Sequence, residues 1–589
     1  MLRSPHTSSF CFALSLLLLA ACGGGGDGGA TPTPPTPPPA PVTVASVTVT
    51  GAPSAPLDAG LTATLTASPR TAAGATVSGR TVSWSTSNAA VATVSSAGVV
   101  TAAGTGQASI TATVDGVSGA ATVPVLVRPA SVAIAAEGRW LLTGDTLSVQ
   151  AIVRDRLDRV MDTSATLTLS GTAATLSSTN ARSGVLTATA PGTATLRATL
   201  GALNAEATVQ VAPGDGARVR ELAVLDSVMI AELVRLRIPG ASVAIARNGA
   251  LMFARAYGWA DTTKREVMRT TSMLRVGSTS KPLTAVAVHR LVQEGRLSLD
   301  DRPFGQQLAA ISALPGRTED PRLVQATVRD LLQHTTGWGS RAVDDTVWAA
   351  FWRDGTNDQT VAARYGRGVP LATAPGTAHV YTNYGYQVLG RLIEQVTGES
   401  YEQAVQRLIL TPAGVTGMRL GRTPFAQRDP NEATCYDGLP TTTSRYGTGA
   451  WCDVAPGMEY YEASGSWIAT ATDMVRWMSV VDGHAGGRAD VLNATTLNAM
   501  TARDGVLWPG TGAFYALGWQ VSPESGGTRW FHSGAATGGD AWISRLPNGV
   551  VVAVLANLTR GRALGGGTLD PAVLAAVRGI STWPVGTMF

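Results

Sequence analysis

The chain is 589 residues long, which is enough for several domains, and only 15% of its residues are charged. Its 45 basic residues exceed its 41 acidic residues by four, and the arginines are dispersed rather than clustered. A nucleic-acid partner is therefore not expected, because such binding needs a basic patch or stripe. The low charge favours an exported protein.

The N-terminus has the pattern of a bacterial lipoprotein signal. Arg3 precedes the apolar run FCFALSLLLLAAC, which is too short for a permanent membrane-spanning helix and ends in small residues. Residues 19–22, Leu-Ala-Ala-Cys, resemble a lipobox, which predicts a signal peptide over residues 1–21 and a lipid anchor on Cys22. An ordinary signal peptide with a chance cysteine is the alternative. Gly23 favours the outer membrane, because aspartate after the cysteine would suggest retention at the inner membrane.

The segment after the signal and the remaining cysteines agree with export. Residues 22–43 are rich in glycine and then in proline, which predicts a flexible and then stiff tether. Once the signal is removed and Cys22 is lipidated, Cys435 and Cys452 are the remaining thiols. In an oxidising compartment they predict a disulfide worth about 3 kcal/mol for a loop of this length. Two free thiols are the alternative.

Short alternating apolar runs separated by Gly, Asn, Ser and Pro continue to residue 213, which is typical of small β-sandwiches. The stretch that starts at Val91 aligns with the stretch that starts at Ala173, so we predict two tandem immunoglobulin-like domains over 44–128 and 129–213. The first, with VSWSTSNAAVATVSSAGVVTAAGTGQASITATV, resembles bacterial group 2 immunoglobulin-like domains. We expect both to be spacers, and contact with the cell envelope is the alternative.

The remaining residues, 214–589, have the pattern of an α+β domain. Strand-like runs about Asn248-Gly249 and Asn548-Gly549 predict a β-hairpin near each end. Helical patterns dominate between them. The two ends are therefore expected to meet in one antiparallel sheet.

Lysine is rare in this chain, which has only Lys264 and Lys281. Lysine differs from arginine in that its amine can lose a proton when it is desolvated. Ser278 precedes Lys281 by three residues, so the two lie on one face of a helix. The pair predicts a serine nucleophile beside an amine base.

Several motifs support this interpretation over residues 219–558; in chain order they are IPGASVAIARNG, STSK, LLQHTTGW, YTNYGY, SGSWIATATDM, YALGW and HSG. Together they resemble serine hydrolases of the class C β-lactamase and D-Ala-D-Ala carboxypeptidase type. The resemblance implies an antiparallel sheet flanked by helices, with a helical subdomain.

The resemblance implies a role for each residue of the site. Ser278 would be the nucleophile and Lys281 would help to remove its proton, with Pro282 tolerated in the first turn of the helix. Tyr381 would relay the proton to the leaving group and later activate water, and Asn383 would bind substrate. Tyr384 and Tyr386 are alternatives whose ordinary role is packing. His334 is expected to end a helix before a capping Gly337.

The strand motif departs from the family pattern. Enzymes that bind β-lactams or D-Ala termini usually carry Lys-Thr-Gly here, whereas this chain has His532, Ser533 and Gly534. A mostly neutral imidazole attracts a substrate carboxylate less than a lysine does, so esters and peptides become the better candidates. A packed histidine with no catalytic part is the alternative. The backbone N–H groups of Ser278 and Ala535 would form the oxyanion hole.

These features predict an exported, lipid-anchored serine hydrolase that acts on a small-molecule ester or a peptide by acyl-enzyme chemistry. The mechanism needs no metal ion or organic cofactor. A β-lactamase or D-Ala-D-Ala carboxypeptidase is the first alternative, and a binding protein without turnover is the second. The sequence does not select the substrate, whose recognition depends on the cleft rims around Cys435 and in residues 342–360.

Overall fold

A computed structural model describes most of the chain after the tether. The predicted signal peptide, the lipidation site Cys22 and nearly all of the tether lie outside the described residues. The chain divides into two compact units, with the division between Val127 and Arg128. The described ranges are 41–136, 140–339, 342–354, 358–455, 457–484, 488–503, 512–559 and 569–589.

The first unit is a β-sandwich built from short strands that are mostly antiparallel. Its longest hairpin pairs Gly106–Val114 with Val117–Leu126, and every second residue of the first strand is buried, as the alternating sequence predicts. The other strands are Ser46–Thr50, Leu57–Asp58, Thr62–Thr64, Thr66–Arg70, Ser83–Thr86, Ala92–Val94 and Val99–Ala102.

The second unit begins with another β-sandwich, made of two four-stranded sheets. Leu147, Leu186 and Leu196 meet in the core between these sheets. The strands of one sheet are Ser131–Ala136, Thr146–Arg154, Ser183–Ala188 and Ala174–Ser178; those of the other are Trp140–Leu142, Leu203–Ala212, Gly192–Leu200 and Thr166–Ser170.

The C-terminal domain is built on a ten-stranded antiparallel sheet in which the two predicted hairpins lie side by side. Gly240–Arg247 pairs with Ala250–Asp261 through the Asn248-Gly249 turn, and it also pairs with Val550–Ala556 from the other end of the domain. The predicted meeting of the two ends in one sheet is thus confirmed. The other strands are Gly214–Asp215, Glu266–Val267, Phe514–Tyr515, Gln520–Glu524, Gly527–Ala536, Gly539–Arg545 and Thr587–Met588.

Helices cover both faces of this sheet. Val224–Leu236 and Asp570–Arg578 contribute to one apolar cluster, and Ser280–Gln293 and Ala471–Met478 contribute to the other. The domain is therefore α+β, as predicted. The other α-helices are Val328–Leu332, Ala342–Asp354, Gln359–Arg367, Tyr384–Thr397, Tyr401–Val405, Thr411–Ala413, Trp451–Val454, Gly457–Tyr461 and Ala494–Thr501; short strands are Leu274–Arg275, Arg419–Leu420, Thr442–Ser444, Gly447–Gly449 and Trp467–Ala469.

Buried charges join the second sandwich to the C-terminal domain. The Arg255 guanidinium donates to both Asp145 carboxylate oxygens at 2.7 Å and to Asp226 at 2.9 Å. Tyr257 donates to the other Asp226 oxygen at 2.8 Å. Arg255 is fully buried, so loss of Asp145 would leave a buried charge with fewer partners. Leu142 adds an apolar contact to the same boundary.

No helix in the described ranges has both the length and the apolarity needed to cross a bilayer.

Candidate active site

The Ser278 segment is held against the strand that carries the His-Ser-Gly motif. Ser278 lies in a short 3-10 turn, Gly277–Thr279, that leads into the helix Ser280–Gln293. Gly277 has a φ of 54°, and a Cβ there would lie 2.7 Å from the Ala535 nitrogen. A Cβ on Gly534 would lie 2.0 Å from the Val276 oxygen. Two glycines therefore allow the backbones of the predicted oxyanion-hole donors to approach closely.

Lys281 is fully buried beside the predicted nucleophile. Its Nζ donates to Ser278 Oγ at 3.1 Å, to Asn383 Oδ1 at 2.8 Å and to the Ser464 carbonyl at 2.8 Å. Burial lowers the pKa of this amine to about 7, although the Asp344 carboxylate acts to raise it. The amine is therefore poised to gain or lose a proton near neutral pH, as a general base must. Pro282 is the third helical residue, within the first turn as expected.

The Asp344 carboxylate holds the Asn383 side chain in place through hydrogen bonds. The Asp344 carboxylate accepts the backbone N–H groups of Asn383 and Tyr384 at 2.9 to 3.0 Å, at the start of the helix Tyr384–Thr397. It also accepts from Asn383 Nδ2 at 3.3 Å. Burial raises the pKa of Asp344, while these backbone bonds lower it. The arrangement turns the Asn383 carbonyl oxygen toward Lys281.

Of the three candidate tyrosines, Tyr381 is the least buried, and its ring lies closer to the Lys281 amine than the Tyr386 ring does. It is half-buried, and its ring centroid lies 4.8 Å from Lys281 Nζ. Tyr384 and Tyr386 are fully buried, and their hydroxyls donate to the carbonyls of Ala363 and Leu332. Burial raises the pKa of both phenols far above the ordinary range. This geometry favours packing for these two.

The His532 side chain faces inward from its strand. It is 1% exposed, its Nε2 lies 3.0 Å from the Tyr515 hydroxyl and its Nδ1 lies 2.6 Å from the Ser533 carbonyl oxygen. Burial, and then the Lys281 charge, lower the pKa of the imidazole to about 3. A neutral, internally bonded ring favours the packed alternative for His532. Ser533 is half-buried, and Ala535 is exposed beside the nucleophile turn.

The structure joins Cys435 and Cys452 in a disulfide. Arg275, just ahead of the nucleophile turn, donates to the Cys452 carbonyl at 3.0 Å and to the Thr537 carbonyl at 2.7 Å. Arg275 therefore links the bridged loop to the nucleophile turn and to the end of the strand that carries the His-Ser-Gly motif. In the described part of the chain, Cys435, Cys452 and Asp453 are close enough to share a metal ion, but the disulfide leaves no thiolate to bind one.

Three groups near the site make contacts that the sequence does not predict. Asp344 was noted only as part of a cleft rim, and the Ser464 carbonyl carries no side-chain signal. His334 lies at a helix end as expected, directly after the C-cap Gln333 of the helix Val328–Leu332, but the prediction that Gly337 caps this helix is wrong. The His334 ring lies 4.3 Å from the Tyr381 ring. Contacts between such distant chain positions leave no local pattern that sequence analysis could find.

Known proteins that are similar to this chain include an esterase, a penicillin-binding protein and an amidase. Esterase EstB of Burkholderia gladioli is 27% identical over 359 residues, 56% of this chain and 89% of EstB. Penicillin-binding protein 4 of Amycolatopsis lactamdurans is 28% identical over 346 residues, 54% of this chain and 81% of that protein. A solved structure of D-amino acid amidase from Ochrobactrum anthropi SV3 aligns over 60% of this chain and 99% of the amidase, with 21% identity and a TM-score of 0.47.

Family models account for two parts of the chain. Residues 43–125 match the bacterial Ig-like domain, group 2. Residues 225–573, which hold the Ser278 turn, Lys281, Tyr381 and the His-Ser-Gly strand, match the β-lactamase family. The chain therefore belongs to the β-lactamase family and carries a bacterial Ig-like domain N-terminal to that region.

Proposed function

We propose that the protein is an exported, lipid-anchored serine hydrolase that cleaves an ester or an amide through a covalent acyl-enzyme. The observation that carries the proposal is the 3.1 Å contact between Ser278 Oγ and Lys281 Nζ, in a setting that lowers the amine pKa to about 7. A serine hydroxyl is a weak nucleophile until a neighbouring base takes its proton. At neutral pH, about half of such amines are free to do so.

The reaction proceeds in two halves. Ser278 Oγ attacks the carbonyl carbon while its proton passes to Lys281 Nζ, and the N–H groups of Ser278 and Ala535 bind the resulting oxyanion. The tetrahedral intermediate collapses as Tyr381 passes a proton to the departing oxygen or nitrogen, which leaves an ester on Ser278. Water then attacks this ester and gives its proton to Tyr381, and the acid leaves as Ser278 Oγ regains the proton that Lys281 Nζ took in the first half.

The residues around the site favour an uncharged ester or amide over a carboxylate-bearing β-lactam. His532 is buried and neutral and stands where β-lactam-binding relatives usually carry a lysine. The likeness to an esterase supports the same choice. The likeness to a penicillin-binding protein makes D-amino-acid peptides the second candidate. Stoichiometric acylation without turnover would instead favour a binding role.

The remaining predictions concern location and domain roles. The lipobox supports an anchor on Cys22 at the outer membrane. The internal repeat supports a second immunoglobulin-like domain over residues 129–213. The first such domain serves as a spacer in this proposal, and contact with the cell envelope is its alternative. The second serves as a fixed support, because Asp145 and Arg255 bond across its boundary with the hydrolase domain.

A substrate panel on the full mature chain tests the proposal. The panel holds 4-nitrophenyl esters, D-amino-acid amides and a cephalosporin, and each is assayed with wild type and Ser278→Ala. We expect ester or amide turnover that the substitution abolishes, together with loss of labelling by a serine-directed phosphonate. Ser298→Ala, an exposed serine on a loop, is the control and should keep wild-type turnover. Undiminished labelling of Ser278→Ala would refute the assignment.

A further inference from the structure

His334 has a backbone conformation that is unusual for a buried side chain. Its φ is 62°, in the left-handed region that few non-glycine residues occupy, although His, like Asn and Asp, does so more often than the others. Among the described non-glycine residues with positive φ, His334 alone is buried. His334 directly follows the C-cap Gln333, and glycine is the residue most often found at the position after a C-cap. A non-glycine residue in this region persists when the surrounding contacts fix its conformation.

Three contacts join His334 to the consecutive residues 380–382. The His334 carbonyl accepts the backbone N–H of Val380 at 2.8 Å. Its Nδ1 accepts the backbone N–H of Thr382 at 3.3 Å. Its ring lies between them against the Tyr381 ring, with centroids 4.3 Å apart and planes at 39°. His334 thus contacts the Tyr381 ring and the backbone N–H groups of the residues on either side of Tyr381.

The imidazole is neutral in this position, which makes the contacts possible. Burial, and then the Lys281 charge, hold the pKa of His334 well below its ordinary value. Since Nδ1 accepts a hydrogen bond, the ring proton is on Nε2, which has no hydrogen-bond partner among the described residues. A neutral ring can pack on the phenol without repelling the ammonium of Lys281.

We propose that His334 is a positioning residue for Tyr381: its ring and Nδ1 hold the phenol where it can pass a proton to the leaving group. The inference rests on the function proposed above and assigns His334 a part in that function. His334 itself touches neither substrate nor Ser278 in this scheme. It acts through the orientation of Tyr381.

The role has a kinetic signature that a general loss of stability lacks. An alkoxide needs a proton to leave, whereas 4-nitrophenolate leaves without one. Misplacing Tyr381 should therefore reduce acylation by alkyl esters and spare acylation by 4-nitrophenyl esters. The ratio of kcat/KM for the two substrates reports this difference, because the amount of folded enzyme cancels in it.

The test compares His334→Asn with wild type on ethyl butyrate, followed by pH-stat, and on 4-nitrophenyl butyrate. Asparagine tolerates the positive φ and keeps an oxygen for the Thr382 N–H, but it lacks the ring. We expect kcat/KM to fall about 10²-fold for the alkyl ester and less than about threefold for the nitrophenyl ester. His289→Asn is the control, because His289 is equally buried and its Nε2 also lacks a partner among the described residues.

The outcomes separate this inference from the proposed function. An unchanged ratio in His334→Asn, or an equal change in His289→Asn, overturns the positioning role. If His334→Asn does not fold, His334→Gly, in which the positive φ carries no strain, must show the same selective loss. A wild-type protein that hydrolyses neither ester, amide nor lactam contradicts the proposed function itself.

Discussion

The ionisation of Lys281 should set the acid side of the pH profile for acylation. At its ordinary pKa of 10.5, about 3 in 10⁴ of the amines would be neutral at pH 7. At the pKa of about 7 that burial produces, about half are neutral. The base form is the active one, so kcat/KM should rise with pH, level off above about pH 7 and fall tenfold per pH unit below it.

Lys281→Arg should remove most of the activity. It should also remove the decrease of kcat/KM below about pH 7, which is the acid limb of the profile. Guanidinium stays protonated, and its planar group cannot replace a compact amine that donates to Ser278, Asn383 and Ser464 together. The loss should be about 10² to 10⁴ in kcat/KM for a 4-nitrophenyl ester. Lys264→Arg is the matched control, because Lys264 is exposed and pairs with Asp261 at 3.5 Å. It should leave the rate and the profile unchanged.

A second control addresses another group that titrates in the same range. Burial raises the pKa of Glu462 to about 7, two residues before the Ser464 carbonyl that Lys281 contacts. Glu462→Gln should therefore keep the acid limb. The reasoning is refuted if that limb disappears in Glu462→Gln, or if a folded Lys281→Arg protein retains the wild-type rate within a few-fold.

Three further changes test the surroundings of the site and the anchor. Asp344→Asn removes the negative charge that raises the Lys281 pKa, so the acid limb should move to lower pH. The unfolding free energy should also fall by about 1 to 3 kcal/mol in denaturant titrations. An acid limb that stays at the wild-type pH would contradict the electrostatic link between Asp344 and Lys281. Asp145→Ala leaves Arg255 with one carboxylate fewer, and calorimetry and denaturation should show a loss of about 3 kcal/mol; unchanged stability would mean that the sandwich is not fixed there. Cys22→Ser should move the protein from the membrane to the soluble exported fraction at unchanged specific activity, and unchanged membrane association would disprove the anchor.

Features encoded in a few adjacent residues were predictable from the sequence. The Asn248-Gly249 turn has its required positive φ at both positions, and the hairpin forms as expected. Ser278 and Lys281 share a helical turn, so their spacing alone predicted the contact between them. The sheet could be anticipated because strand patterns at both ends of a domain have few other ways to bury their apolar faces.

Features that depend on distant residues were not predictable. Asp344 contacts a backbone 39 positions later, and His334 reaches one 48 positions later. Neither pairing has a periodic pattern, and the αL conformation of His334 is one that few non-glycine residues adopt. The Asp145–Arg255 pair spans 110 positions, so the ion pair at the boundary of the second sandwich has no local sequence pattern. The inward direction of His532 follows the alternation of its strand, but its bond to Tyr515, 17 positions earlier, has no local pattern.

The central claim, that Ser278 carries a covalent acyl group during turnover, can be measured directly by mass spectrometry of protein quenched while it hydrolyses a 4-nitrophenyl ester. The account predicts one acyl group per chain, mapped to the peptide that contains Ser278 and absent from Ser278→Ala. Hydrolysis without an adduct, or an adduct on another residue, would contradict it.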